Sequence, residues 1–276
     1  MNESLKGLWT DLNEIWTYRH LLRMLVTRDL KTRYKNSIFG VAWSFLQPLG
    51  MMIVLTFAFG VINKGPSDLP NFNVFILSGY LAWTFFSSAV VSGTGSVVSN
   101  SSLVKKVYFP RILLPLSVVF SNLINYVLAL PMFVIVAVVS GHPLYWTLAL
   151  VPVAMVIQVI FCCGLTLFLS TINVFYRDTQ FIIDLAMLAW FFLTPIFYDI
   201  RTAKAAVFLG QTIDTALWLR RLNPMASLVN IYQDLMYRGV PTNLDFWIRT
   251  AVTSVIVFIL GYFFFQHFNK RFGEEL

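Results

Sequence analysis

Residues 37–62 contain no charged side chain and directly follow a segment dense in charge. At a helical rise of about 1.5 Å per residue this run reaches about 39 Å, more than the roughly 30 Å hydrocarbon core of a bilayer. It therefore predicts a membrane-spanning helix, with Asn36 and Ser37 as N-cap residues. Basic residues flank spans on the cytoplasmic side, so the side chains before this run predict a cytoplasmic start for the chain. We call them the basic cluster: Arg28, Lys31, Arg33 and Lys35.

The overall composition indicates an integral membrane protein. Hydrophobic residues make up 58% of the 276, charged residues make up 12%, and the mean hydropathy is +0.72. Soluble domains are about a quarter charged. Further apolar runs follow the first, so we predict an all-α membrane protein with six spans. They lie at about residues 37–62, 72–98, 112–139, 144–172, 179–198 and 246–265.

The spans divide the chain into three parts. Residues 1–36 are predicted to be a cytoplasmic segment, and residues 37–267 form the transmembrane domain. Residues 268–276 form a cytoplasmic tail, because Lys270 and Arg271 follow the last span. The first segment starts with an amphipathic helix in which Trp9 and Trp16 share the apolar side. This helix could lie in the membrane interface, pack on a partner or fold back on the cytoplasmic surface of the protein.

The predicted external loop over residues 199–244 is long and has helical patterns of its own. A weak helix is expected at about 202–209. A second begins with Asn223 as N-cap and Pro224 at its first position, and Gly239 is a plausible terminator. Its apolar stripe consists of Leu228, Ile231, Tyr232 and Leu235. Two such half-apolar helices could lie on the external surface or dip back into the bilayer.

Asp184 is the only carboxylate inside an apolar run. An acid within the membrane suggests a functional group by default, for example a proton relay. However, Arg177 lies seven residues earlier on nearly the same helix face, so a structural ion pair or an interfacial acid is the preferred interpretation.

Several kinds of chemistry are missing from the sequence. No phosphate-binding G-x-x-x-x-G-K-[ST] loop is present, and no hydrolase or metalloprotease motif. The three histidines are far apart, so no metal site is expected, and no separate basic and aromatic patch suggests nucleic acid. The classes that remain are the permease of an ABC exporter, an ion-coupled secondary transporter using Asp184, and a membrane enzyme.

Short motifs along nearly the whole chain carry a resemblance to a known family. The first group surrounds the start of the first span: Arg28-Asp29-Leu30-Lys31, Arg33-Tyr34-Lys35, Ser37, Gly40, Trp43 and Pro48. The later groups are Tyr176-Arg177-Asp178, Pro195-Ile196-Phe197-Tyr198 and Asn223-Pro224. In this order the motifs resemble the membrane subunits of type-2 ABC exporters that move lipid-linked cell-surface polysaccharides, such as teichoic acids or O-antigens.

The resemblance implies a set of partners and a location. Two copies of the permease would pair and two ATPase subunits would dock below them, using ATP and Mg²⁺, while this chain carries no cofactor and is not itself an enzyme. The cargo would be a lipid-linked glycopolymer crossing between the two copies in the bacterial cytoplasmic membrane, with both termini cytoplasmic. The two external helices would form a re-entrant pair. A smaller lipid or drug cargo is the alternative within the same class.

Two short cytoplasmic loops are candidates for coupling to the ATPase. Residues 100–111 are basic and end in a proline motif, which fits a short helix between two rigid spans, and residues 173–178 form the next turn on that side. The predicted coupling residues are Leu103, Val104, Lys105, Lys106, Val107, Tyr108, Tyr176, Arg177 and Asp178.

An unusual load of aromatic residues lies on the first, second and fifth spans. Aromatic faces stack on the C–H edges of sugars, so these side chains are candidates for the cargo path, although aromatic residues also face lipid or fill cores. The candidates are Phe39, Trp43, Phe57, Phe59, Trp83, Phe85, Phe86, Trp190, Phe191, Phe192, Phe197 and Tyr198. The resemblance further implies that the first and fifth spans flank a lateral opening for the lipid anchor.

Overall fold

The computed structural model of the chain describes residues 16–62, 69–200, 206–208, 211–213, 221 and 223–276. The predicted amphipathic helix falls almost entirely in residues 1–15 and so lies outside the described residues. Helices dominate the described part. Five of them are long and apolar enough to cross a bilayer, which confirms the prediction of a helical multi-pass membrane protein.

The first span starts three residues later than predicted. Helix α1 (Arg19–Tyr34) ends before it, and a 3₁₀ turn (Gly40–Ala42) leads into α2 (Trp43–Leu55), which continues as a π-helix (Thr56–Ile62). Asn36 has a φ of 60°, a left-handed conformation that Asn tolerates. The prediction of Asn36 and Ser37 as N-cap residues is wrong in position, because Phe39 is the N-cap of the 3₁₀ turn, although the Ser37 hydroxyl accepts a hydrogen bond from the Gly40 amide at 3.2 Å.

Helix α3 (Phe72–Thr94) is the central helix of the bundle. Most of its residues are buried, and it is followed by the short helices α4 (Ser96–Ser99) and α5 (Ser101–Lys106). Two long helices follow: α6 (Leu113–Val139) and α7 (Val151–Phe175), the second preceded by a 3₁₀ turn (Trp146–Leu150). These bounds agree with the predicted second, third and fourth spans to within a few residues.

Helix α8 (Thr179–Phe192) is shorter than the predicted fifth span, which was placed at 179–198. Pro195 explains the early end, because it has no N–H to offer the carbonyl of Phe191 and its ring would clash with that carbonyl. Fourteen residues reach only about 21 Å, less than the hydrocarbon core. The predicted path residues Phe197 and Tyr198 therefore lie in the irregular segment beyond the helix.

The predicted weak helix at 202–209 is wrong over the residues that the structure describes. Strand β1 (Ala206–Phe208) pairs antiparallel with β2 (Gln211–Ile213), with Val207 opposite Thr212. Val207, Thr212 and Ile213 are β-branched, which favours strands over helices. Leu209 and Gly210 separate the two strands in the sequence, a spacing typical of a tight hairpin.

The second predicted loop helix forms as expected. Helix α9 (Pro224–Gln233) has Asn223 as N-cap, whose side-chain oxygen accepts from the Ala226 amide at 3.1 Å. A π-helix (Asp234–Arg238) extends it and ends at Gly239, which has a φ of 67°. All four residues of the predicted apolar stripe are buried. The chain then ends with α10 (Leu244–Asn269) and α11 (Phe272–Glu275).

Close helix packing at glycines holds the bundle together. Helices α7 and α10 cross where Gly164 faces Gly261, and a Cβ added to Gly261 would lie 2.0 Å from the Gly164 carbonyl oxygen. A Cβ on Gly93 of α3 would meet Thr166 of α7 at 2.1 Å. Small residues at these positions allow the backbones to approach closely, as in many membrane bundles.

The two ends of the bundle are distinct. We call the end of the bundle near Tyr18 and Lys270 the terminal end, and the opposite end the far end. At the terminal end, these two residues and the segment that follows α5 line one cavity. At the far end, the Tyr237 hydroxyl donates to the Pro70 carbonyl, and the Nε2 atom of His142 lies 2.9 Å from the Tyr237 carbonyl oxygen. The π-helical extension of α9 is therefore tied to the start of α3 and to the turn after α6.

Candidate functional site

A polar pocket lies between the end of α1 and helices α2, α3 and α6, and has a volume of about 170 Å³. Helix α6 contributes four lining residues, Asn122, Asn125, Tyr126 and Ala129, so the pocket lies near the middle of that helix, with its asparagines on the side nearer the terminal end. Trp43 and Phe85 supply apolar walls. The polar side chains that line the pocket are Arg33, Tyr34, Ser44, Gln47, Thr84, Ser88, Asn122, Asn125 and Tyr126.

Hydrogen bonds connect the polar residues of this pocket across three helices. The Arg33 guanidinium donates to the Asn122 side-chain oxygen at 2.9 Å. The Tyr34 hydroxyl donates to the Asn125 side-chain oxygen at 2.7 Å and lies 2.5 Å from the Ser44 hydroxyl. Since Tyr34 has one proton and gives it to Asn125, Ser44 is the donor in the second bond. The pocket is thus an ordered polar site within an apolar bundle.

Sequence reasoning missed the residues that α6 brings to this pocket. Asn122 and Asn125 are three residues apart, so both lie on one face of α6. Two amides at this spacing in an otherwise apolar span were the available signal. Ser88 of α3 also lines the pocket.

The basic cluster is divided between two sides of α1. Arg33 faces the polar pocket, whereas Arg28, Lys31 and Lys35 line a wider groove of about 1030 Å³, which we call the basic groove. Arg28 pairs with Asp29 at 3.1 Å. His20 and Arg23 belong to the same groove. Helix α1 therefore presents positive charge to both the pocket and the surface of the bundle.

The predicted coupling residues lie at the terminal end and are mostly exposed. Lys105, Lys106, Val107 and Tyr108 are exposed, with 98% of Tyr108 accessible, whereas Val104 is buried. Leu103 is half-buried. Tyr176, Arg177 and Asp178 are exposed in the turn between α7 and α8. We call the exposed members of this set the coupling surface.

A cavity of about 600 Å³ lies beside the coupling surface. The Arg111 guanidinium donates to the Asn269 carbonyl oxygen, and Phe272 of α11 is fully buried. The end of the chain thus packs against the segment that follows α5.

Four of the predicted cargo-path aromatics are exposed on the bundle. They are Phe39, Trp43, Phe57 and Phe192. The first three lie on α2 or beside it, and Phe192 ends α8. Phe39 and Trp43 contact each other edge to face, with ring centroids 5.6 Å apart. These side chains are free within one chain to meet lipid, cargo or another subunit.

Most of the other predicted path aromatics pack within the chain. Phe86 and Trp190 are in edge contact at 5.1 Å, and Phe59 stacks on Phe197 at 4.2 Å. The Trp190 indole donates to the Asn223 side chain at 2.8 Å, and Tyr198 is half-buried. The buried residues are Trp83, Phe85, Phe86, Phe191 and Phe197. Within one chain these five side chains are therefore part of the core, although Phe85 also lines the polar pocket.

Asp184 does not form the predicted pair with Arg177. No ion pair of Asp184 is found within residues 16–62, 69–200 and 223–276, and its carboxylate instead accepts from the Gln180 amide at 3.4 Å. The side chain is exposed on α8. Arg177 lies in the turn before α8, outside the regular helix geometry on which the prediction relied.

A buried ionic network at the far end also escaped sequence reasoning. Arg238 pairs with Asp199 and with Asp234, each at 2.8 Å, and all three side chains are nearly buried. Asp234 also accepts from Thr242 at 3.2 Å. This network joins the segment after α8 to the π-helical extension of α9. Sequence patterns do not reveal such a contact, because its residues lie far apart in the chain.

These features define a class: a helical multi-pass membrane protein with a polar pocket in its span region and an exposed basic surface at its terminal end. The family model described as ABC-2 type transporter matches residues 20–237. The chain therefore belongs to the ABC-2 type transporter family, and the predicted resemblance is confirmed.

The chain is similar over most of its length to bacterial export and transport proteins. The O-antigen export system permease protein RfbA of Myxococcus xanthus is 34% identical, over 96% of this chain and 98% of its own length. The protein of the same name from Klebsiella pneumoniae is 30% identical, over 93% and 95%. The polysialic acid transport protein KpsM of Escherichia coli is 21% identical, over 78% and 80%.

Proposed function

We propose that this chain is the permease subunit of an exporter that moves a lipid-linked cell-surface polysaccharide out of the bacterial cytoplasm. The observation that carries the proposal is its similarity, along nearly its full length, to O-antigen export permeases from two bacteria. The polar pocket and the exposed aromatics on α2 suit a cargo that combines sugar, phosphate and hydrocarbon. Teichoic acid is an alternative polymer of the same kind.

ATP hydrolysis in this proposal occurs in a separate ATPase, present in two copies, with Mg²⁺. The coupling surface suits such a partner, because it is exposed and basic and lies between helices that can transmit a push. Lys105 and Lys106 would meet carboxylates of the ATPase. This assignment makes the terminal end cytoplasmic, with both chain termini inside, in agreement with the charge pattern.

A conduit between two copies of the chain is the proposed route of the cargo. Within one chain, 17% of the span Gly40–Gly60 is buried, against 78% of the span Phe72–Thr94. Helix α8 buries only Thr179, Met187 and Phe191. Asp184 is exposed on α8, and a carboxylate that faces lipid within the membrane is costly. An aqueous conduit or a subunit interface beside α8 would remove that cost.

Deletion and complementation in the source bacterium test the proposed function. Without the chain, the surface glycan should disappear and lipid-linked glycan should accumulate inside, and expression of the wild-type chain should restore export. The same chain with an ATPase whose nucleotide-binding lysine is replaced by alanine should not restore it. A deletion strain with an unchanged amount of surface glycan would contradict the proposal.

A further inference from the structure

The polar pocket has hydrogen-bond donors that the described residues leave unused. Both asparagine side-chain oxygens are in use, since Asn122 accepts from Arg33 and Asn125 accepts from Tyr34. The Asn125 amide nitrogen is buried and has no partner. A buried unpaired donor costs about 1–3 kcal/mol, so this nitrogen favours a ligand that accepts hydrogen bonds.

The charge of the pocket also favours an acceptor. Arg33 uses only one of its donors for Asn122, and a guanidinium has five N–H groups. The residues that line the pocket include no Asp or Glu. Arg33 can therefore bind an anion in the pocket without competition from a carboxylate there, and planar guanidinium groups suit phosphate oxygens.

The depth of the pocket restricts the source of that anion. Asn122 follows the first residue of α6 by nine positions, which places it about 14 Å along the helix. Arg33 is the last residue but one of α1, and its guanidinium reaches the Asn122 side chain at this depth. Trp43 is exposed beside it and offers an aromatic face at the same level. A phosphate that reaches this site would be attached to a membrane lipid.

We propose that the polar pocket binds the phosphate that joins a membrane lipid to its sugar, with Arg33 and Asn125 as the donors. The tyrosine and serine hydroxyls hold Asn125 in position, and Trp43 lies where the first sugar would stack. This inference deepens the proposed function, because the ligand is the phosphate of the exported lipid-linked cargo. The binding itself requires neither ATP nor a partner subunit.

Native mass spectrometry of the purified full-length chain tests this site. The probes are farnesyl diphosphate, its glucosyl ester, and phosphatidylglycerol, each titrated against protein in detergent. The wild-type chain should retain the glucosyl ester in preference to phosphatidylglycerol. Arg33→Gln and Asn125→Leu should each weaken its binding about tenfold, the effect of losing a charge-assisted hydrogen bond.

Arg28→Gln is the matched control, because it removes the same charge from the other side of α1. Its binding should stay within about twofold of wild type. If Arg28→Gln weakens binding of the glucosyl ester as much as Arg33→Gln does, the effect is one of general charge and the site is overturned. The site is also overturned if the wild-type chain retains phosphatidylglycerol as well as the glucosyl ester. If Asn125→Leu does not fold, Asn125→Asp replaces it, and its added negative charge should also weaken binding; unchanged binding would overturn the site.

The outcome separates this inference from the proposed function. If the chain binds the probes as expected but does not support export, the proposed function is overturned and the phosphate site is retained. Export that depends on the chain, together with binding that ignores Arg33 and Asn125, would overturn the pocket alone.

Discussion

At the scale of single residues, glycine decides how closely the helices pack. The backbones of α7 and α10 approach each other at Gly164 and Gly261 so tightly that no side chain fits between them. Gly50 of α2, by contrast, has nothing within 4 Å of an added Cβ. The same residue type therefore has a structural role at one position and none within the chain at the other.

Replacing Gly261 with alanine should destabilise the purified protein by about 1–3 kcal/mol or more, because the new methyl group would overlap the Gly164 carbonyl. Thermal unfolding in detergent measures the effect. Gly50→Ala is the control and should be neutral or slightly stabilising, since alanine favours helices. Equal melting temperatures for the two variants would contradict the close packing of α7 and α10.

At the scale of elements, the structure sharpens which part of the predicted coupling loop can meet a partner. Val104 is the buried residue of α5 and serves the fold, whereas Val107 and Tyr108 follow the end of that helix and are exposed. A substitution at Val104 would disturb the fold as well as any contact with the ATPase, so a loss of docking could not be assigned to either cause. The exposed pair is therefore the proper target.

The double variant Val107→Ser and Tyr108→Ala should weaken docking of the ATPase about tenfold, because exposed aromatics dominate many interfaces. Co-purification of the ATPase and its hydrolysis rate in the complex are the measurements. Trp146 is another exposed aromatic residue, at the far end, and Trp146→Ala should leave both quantities unchanged. Retention of wild-type docking by the double variant would remove this segment from the interface.

At the scale of the whole molecule, the two ends of the bundle differ in charge and packing. The terminal end presents the basic groove and the coupling surface, whereas the far end closes around the buried pairs of Arg238. If the terminal end is cytoplasmic, the basic residues follow the distribution that membrane insertion selects.

Single cysteines report this orientation in a chain that lacks Cys162 and Cys163. Lys105→Cys at the terminal end should resist an impermeant thiol reagent added to intact cells, whereas Trp146→Cys at the far end should react. After the cells are opened, both should be labelled. Reaction at position 105 from outside would reverse the proposed topology.

The sequence by itself determined the features that local physical chemistry controls. Runs without charge defined the long helices to within a few residues, and Asn223, Pro224 and Gly239 marked both ends of the α9 segment. Motif order identified the family. These results required no knowledge of distant contacts, because hydropathy, capping and backbone preference act within a few neighbouring residues.

Only the tertiary structure decided what depends on residues far apart in the chain. It joined Arg33 to Asn122 and Tyr34 to Asn125 in one pocket, and it brought Arg238 to Asp199. It also divided the aromatic candidates into exposed side chains, such as Trp43 and Phe192, and buried ones in α3, in α8 and in the segment after α8. The physical reason is that composition and periodicity specify a helix and its apolar character, whereas helix packing determines which face meets which neighbour.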